Sequence, residues 1–204
     1  MEQFSYRTIK NRSEGLFKDR GSKFLAFAFP VTGEEQVKKH LEDLKREYHD
    51  ARHHCYAWKL GTGPGLTRAN DDGEPSNTAG KPILMQIQKH GLTNVLIVVV
   101  RYFGGVLLGT GGLINAYRTA AADAITQAEA ITKTVNEQME INFPYSAMND
   151  VMRVLKEEQA DQVTQEYGND CTINITIPLE KSPRLKGRLN AIPGVNVKKL
   201  SNNY

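Results

Sequence analysis

Residues 95–119 constrain the fold more than any other stretch. Val95-Leu96-Ile97-Val98-Val99-Val100 is apolar throughout, mostly β-branched and too short for a globular helix, which predicts a strand buried on both faces. Arg101-Tyr102-Phe103-Gly104-Gly105 and Val106-Leu107-Leu108-Gly109-Thr110-Gly111-Gly112 follow, and from Leu113 there is no proline before Pro144. A long helix is therefore expected from about Gly112 to about Glu129. Five glycines in nine positions separate strand from helix, more than chain reversal requires. Two readings fit them. A glycine-rich turn opening a helix presents backbone amides to an anion, and the same glycines suit a tight connection packed on a neighbour. Neither a Walker pattern nor the dinucleotide fingerprint is present. Arg101 favours the anion pocket, because a cation directly after a buried strand needs a partner.

At 204 residues the chain has room for one large or two small domains, and 40% hydrophobic with 24% charged residues is ordinary for a globular protein. No apolar run reaches membrane-spanning length, and Met1-Glu2-Gln3-Phe4-Ser5-Tyr6-Arg7 lacks the apolar core of a signal peptide. The expectation is a cytoplasmic protein without a membrane partner. Cys55 and Cys171 stand far apart with no C-x-x-C spacing, which favours free buried thiols over a disulfide or zinc site. Of the net +3, the whole excess lies in residues 1–130, with 17 Lys and Arg against 14 Asp and Glu. Residues 131–204 hold nine of each. This is milder than the basic footprint of a dedicated nucleic-acid binder and leaves room only for a local basic face.

Along the chain, residues 4–29 read as two strands, with Ser22–Phe29 the clearer and Lys23 an ordinary edge lysine. Thr32 and Glu35 form a capping-box pattern ahead of an amphipathic helix bearing Val37, Leu41, Leu44 and Tyr48 on one face. Asp50–Leu60 moves from a turn into a strand. His53 and His54 are adjacent and so point to opposite faces, which argues against one shared metal ion. One is expected to face a pocket as a proton carrier or anion contact, the other to be packed or solvated.

Residues 61–82 are the second concentration of unusual chemistry. Glycines and prolines forbid regular structure across most of this loop, which gathers Asp71, Asp72, Glu74, Ser76, Thr78 and Lys81. Asp72 and Glu74 offer a carboxylate pair, and Ser76 and Thr78 are nucleophiles only with an activating base such as His53 or His54. An ordered loop stitched by its own side chains, with Thr78-Ala79-Gly80 opening the next helix, is favoured over catalysis. That helix runs from near Ile83 to His90-Gly91. In the helix after the glycines, Ala116, Ala120, Ala121 and Ala124 form a small-residue face, and Tyr117 and Arg118 are expected to point back toward the glycine rim.

Character changes near Thr132-Lys133-Thr134. A strand alternating through Val135–Phe143, a helix over Tyr145–Glu158, strands at Gln162–Tyr167 and Cys171–Ile177, a helix over Leu179–Ala191 and a strand at Val195–Leu200 give the order β-α-β-β-α-β. That order describes a ferredoxin-like module. Arg184, Lys186, Arg188, Lys198 and Lys199 suit contact with RNA or protein, and equally an ordinary solvated face.

Three motifs carry a resemblance: Ala51-Arg52-His53-His54-Cys55; Asp71-Asp72-Gly73-Glu74-Pro75 with Thr78-Ala79-Gly80-Lys81-Pro82; and Val98–Gly105 followed by Leu108-Gly109-Thr110-Gly111-Gly112-Leu113. On these the chain resembles the bacterial YigZ branch of the IMPACT family, specifically over residues 1–130 and by position and pattern beyond. The resemblance implies an α+β protein with an N-terminal domain over 1–132 like the second domain of ribosomal protein S5. It implies a C-terminal domain over 133–204 like the last domain of elongation factor G. It also implies a link to translational control, since eukaryotic relatives compete for a large regulator of an amino-acid-sensing kinase.

Two functions follow. The first is a non-catalytic, translation-associated protein that binds RNA, the ribosome or a translation factor. The second is a small enzyme acting on a phosphorylated or carboxylated metabolite, with Arg101, Lys81 and the amides near Thr110 holding the anion and Glu74 or His53 moving a proton. The first is preferred, because no nucleophile or metal set is recognisable. The candidate anion site comprises Arg101, Lys81, Gly109, Thr110, Gly111, Asp72, Glu74, Ser76, Thr78, His53 and Arg118, with no cofactor and no metal.

Overall fold

The computed structural model describes residues 4–62, 65–166, 168 and 170–200, so Gly63, Pro64, Tyr167 and Asn169 of the expected loop and hairpin lie outside the described residues. The protein is α+β and divides into two compact units, Tyr6–Lys133 and residues 4–5 with 134–200.

The first unit runs β1 (Ser5–Ile9), β2 (Ser13–Asp19), β3 (Ser22–Pro30), α1 (Glu34–Glu47), β4 (His53–Leu60), β5 (Leu66–Asn70), α2 (Gly80–Lys89), β6 (Val95–Tyr102), α3 (Gly109–Gln127) and β7 (Ala130–Thr134). Its antiparallel sheet has the order β2-β3-β6-β4-β5, and β1 pairs with β7. β6 is the central strand and all of Val95–Val100 is buried, as its composition predicts. Alternation sends Val95, Ile97 and Val99 into the layer of α2 and α3. Leu96, Val98 and Val100 go into the other core with Phe27, Phe29, Trp58 and the Val37 and Leu44 of α1. Ala116, Ala120, Ala121 and Ala124 let α3 lie close on the sheet. A Cβ on Gly15 of β2 would stand 2.3 Å from the Ala124 nitrogen.

Three expectations change. Residues 5–30 form three strands, because the bend at Lys10-Asn11 separates β1, which leaves the main sheet for β7. Part of the 61–82 loop is regular: Leu66–Asn70 folds back on β4, its backbone hydrogen bonds outweighing a polar, exposed sequence. The helix α1 starts with Gly33 as N-cap, and the capping partner of Thr32 is Gln36, whose side chain accepts the Thr32 N–H at 2.8 Å, not Glu35.

The second unit runs β8 (Asn136–Pro144), α4 (Met148–Glu158), β9 (Asp161–Glu166), β10 (Asp170–Pro178), α5 (Ser182–Asn190) and β11 (Asn196–Lys199), with short 3-10 turns before both helices. Its antiparallel sheet has the order β11-β8-β10-β9. Met139, Ile141, Phe143, Cys171, Ile173, Ile175 and Ile177 alternate inward onto Val151, Leu155, Leu185 and Leu189. Cys55 and Cys171 are both free and buried.

Candidate functional site

Strand register creates the site. Arg101 at the end of β6 lies opposite Phe24 of β3 on one side and His53 of β4 on the other. Residues opposite one another in antiparallel strands share a face, so Phe24, Arg101 and His53 form one row on the face covered by α3. His54, one residue on, faces the α1 layer and is buried. Of the two histidines, His53 is therefore the half-exposed one and His54 the packed one.

The 71–79 loop folds back over this row. Asp71 caps α2: its carboxylate accepts the N–H groups of Ala79 (3.0 Å), Gly80 (2.8 Å) and Asn77 (2.9 Å). The next residue bends sharply, with Asp72 at φ 41° and Gly73 at φ 86°. This turn aims the Asp72 carbonyl at His53 Nδ1 (2.8 Å) and its carboxylate at the His54 N–H (2.7 Å). A carbonyl oxygen only accepts, so in the neutral His53 ring Nδ1 carries the proton and Nε2 is left as the acceptor.

Glu74 then enters the interior. Its Oε1 accepts from Arg101 Nη1 at 2.5 Å and from the Tyr117 hydroxyl of α3 at 2.8 Å. The Cys55 thiol stands 3.3 Å from the Tyr117 oxygen and 3.0 Å from the Asp71 carbonyl. The guanidinium lies between the rings of Phe24 (5.5 Å) and Phe103 (5.7 Å). Burial raises the Cys55 thiol well above its ordinary value, opposed by the Tyr117 hydroxyl, and it raises Tyr117 likewise, helped by Cys55 and Glu74. Both stay protonated, so Cys55 is not a thiolate nucleophile. Burial lowers His54, against the pull of Asp72.

This geometry sorts the predicted residues. Arg101 and Glu74 come together, with Asp72 and His53 beside them. Arg101 is 7% exposed and Glu74 9%, so the expected anion-holding cation is neutralised inside the protein by its own carboxylate. Breaking a buried pair of this kind costs about 3–5 kcal/mol. Ser76 is exposed and its oxygen accepts from Asn77, while Thr78 donates to the Pro75 carbonyl at 2.6 Å. Neither hydroxyl is bonded to an imidazole. Lys81 is exposed on the first turn of α2. Gly109, Thr110 and Gly111 are exposed on the first turn of α3, which begins three residues before the expected Gly112. Arg118 is exposed on Asn115 Oδ1 at 2.6 Å, and Tyr117 turns into the core instead of joining it at the rim. Cys55 and Tyr117 were not among the predicted site residues. Tyr117 shares the Leu113, Ala116, Ala120, Ala121, Ala124 stripe, a helical-period signal that assigns it inward. Among the described residues, no group of three or more His, Cys, Asp or Glu is placed to hold a metal ion.

The first unit is thus an α+β domain whose sheet is covered on this face by α2 and α3, with a carboxylate–arginine–tyrosine strut pinning a loop to the third turn of α3. Residues 20–125 match the family model described as the Impact N-terminal domain. The chain belongs to the IMPACT family. It is 32% identical over 170 residues to IMPACT family member YigZ of Escherichia coli, covering 82% of this chain and 83% of that one. It is 32% identical over 155 residues to IMPACT family member YvyE of Bacillus subtilis, covering 76% and 71%. A Saccharomyces cerevisiae protein named Protein IMPACT homolog is 40% identical over 115 residues, 54% of this chain and 43% of that one. A crystal structure described as that of an hypothetical protein superposes with a TM-score of 0.79 at 27% identity, covering 98% of this chain and all of the other.

Proposed function

We propose that this protein is a non-catalytic, translation-associated binding protein whose partner is a protein surface, on a translation factor or the ribosome, and not nucleic acid. The observation that carries this reading is the internal engagement of its candidate reactive groups. Glu74 is held by Arg101 and Tyr117, Asp71 caps α2, Thr78 is bonded within its loop, and the Cys55 thiol stays protonated. The motif residues thus hold the loop, the sheet and α3 together. The translational part of the reading rests on the family.

The charges of the second unit favour protein over RNA. Arg184 and Arg188 sit on Glu158 at 3.0 and 2.7 Å, and Lys186 and Lys199 on Glu137 at 3.0 and 2.7 Å. Both acids have side chains only 5% exposed. Drawing these cations away to phosphates would leave buried carboxylates unpaired, a cost that ordinary surface ion pairs do not carry. No helix among the described residues is long and apolar enough to cross a membrane.

Co-sedimentation with purified ribosomes over a salt series tests the reading. A contact made through protein surfaces should persist between roughly 50 and 200 mM salt, where a contact to six to ten phosphates loses about 10³–10⁵ in affinity. Steep loss over that range assigns the contact to RNA. Absence of any association, together with a metabolite that raises the melting temperature, overturns the reading in favour of an enzyme.

A further inference from the structure

We propose that Phe103–Ile114 is the docking surface for an extended segment of a partner protein in which an aspartate or glutamate neighbours aliphatic or aromatic residues. The proposal rests on the binding-protein reading above and specifies where and what it binds.

Phe103 (51% exposed), Val106 (50%), Leu107 (80%) and Ile114 (40%) are four of the ten large apolar side chains exposed among the described residues, and they fall within twelve consecutive positions. A connection that only reversed the chain would be polar there. The glycines divide on the same line. Gly104 is needed for packing, since a Cβ on it would stand 2.0 Å from the Gly21 carbonyl carbon. Gly105, Gly109 and Gly111 meet nothing within 4 Å of an added Cβ, so their backbone is open to a neighbouring chain.

Charge selects the occupant. No Asp or Glu occurs from residue 75 to residue 122, and although Arg101 in that stretch is neutralised by Glu74, Arg118 is exposed one turn beyond Ile114 with its guanidinium on the neutral Asn115. The helix α3 starts without a side-chain cap and without an acid in its first turn, so its leading N–H groups and the positive end of its dipole face outward beside Leu107. At the other end of the apolar run, Phe103 walls a hollow of about 420 Å³ together with Leu25, Tyr48, Tyr102 and the exposed Lys23. The Tyr102 hydroxyl is bonded to the Asp50 carboxylate at 2.7 Å, so this hollow has an anion as well as Lys23 near it and suits a side chain of the partner other than its acid. Apolar side chains beside the positive start of α3 and the exposed Arg118 fit a peptide that sets apolar anchors next to a carboxylate.

Selection of a random displayed peptide library on the full chain tests this, with enriched peptides measured by fluorescence anisotropy. Enriched sequences should combine an acid with aliphatic or aromatic residues. Leu107→Ser should weaken them by about tenfold or more. Thr110→Asp, which places a carboxylate in the first turn of α3 and stabilises that helix, should weaken them severalfold at an unchanged or higher melting temperature. Leu66→Ser, at an exposed apolar residue on β5, should leave binding unchanged. Peptides lacking acids, or peptides indifferent to both Leu107→Ser and Thr110→Asp, overturn the proposal. A single-stranded RNA oligonucleotide that binds and is lost in Leu107→Ser overturns it in favour of nucleic acid, and a concentration-dependent dimer lost in Leu107→Ser does so in favour of a second copy. Ribosome association that survives Leu107→Ser removes this surface alone, whereas peptides selected as expected by a chain that never associates with ribosomes remove only the translational reading.

Discussion

Glu137 lies almost out of solvent on β8. Burial by itself would raise its carboxyl, but hydrogen bonds from Lys199, Ser182 and Lys186 outweigh burial and bring it from 4.5 to about 2. Folding therefore favours the carboxylate. Its contribution to stability is complete above the ordinary value, declines as pH falls below it and is lost below about 2. Opening free energies of β8 and β10 from amide hydrogen exchange, compared between the wild type and Glu137→Gln, should differ most near neutral pH and converge toward pH 2. A difference that is constant with pH contradicts this assignment. None of these partnerships is legible in sequence, because periodicity reports which face a residue occupies and not what it meets there. Arg101 and Glu74 are 27 residues apart, on a strand and in a loop, and the expectation that Arg101 needs a partner was sound while the partner's identity required the fold.

The strand β6 is legible because six consecutive apolar residues admit little but a two-sided burial, and α3 because good helix formers run on from Leu113 with no proline before Pro144. β5 was not, since its residues are exposed and its stability comes from pairing with β4. The glycine stretch, one feature in sequence, is two in the fold. Gly104→Ala drives a methyl into the backbone of Gly21 and Ser22 and should cost about 3 kcal/mol. Gly111→Ala, at a helical position with open space, should gain up to about 1 kcal/mol. Thermal unfolding followed by the emission of Trp58, the single tryptophan and buried in the first unit, separates the two. Equal shifts in the same direction would contradict the division.

Across the chain, membership of the IMPACT family is what the proposed translational role rests on, and the buried ion pairs of both units are what the proposed contact through protein surfaces rests on. On the proposed reading the motif residues are a strut and not a reacting or anion-holding centre. The triple variant Glu74→Met, Arg101→Met, Tyr117→Phe is the sharpest test, because apolar replacement of both ions and the hydroxyl leaves no orphaned charge, the Cys55 thiol keeps the Asp71 carbonyl, and stability changes by about 1–2 kcal/mol or less. With its fold verified by Trp58 emission, this variant should co-sediment with ribosomes as the wild type does. A folded triple variant that no longer associates would show that Arg101 and Glu74 touch the partner or ligand themselves.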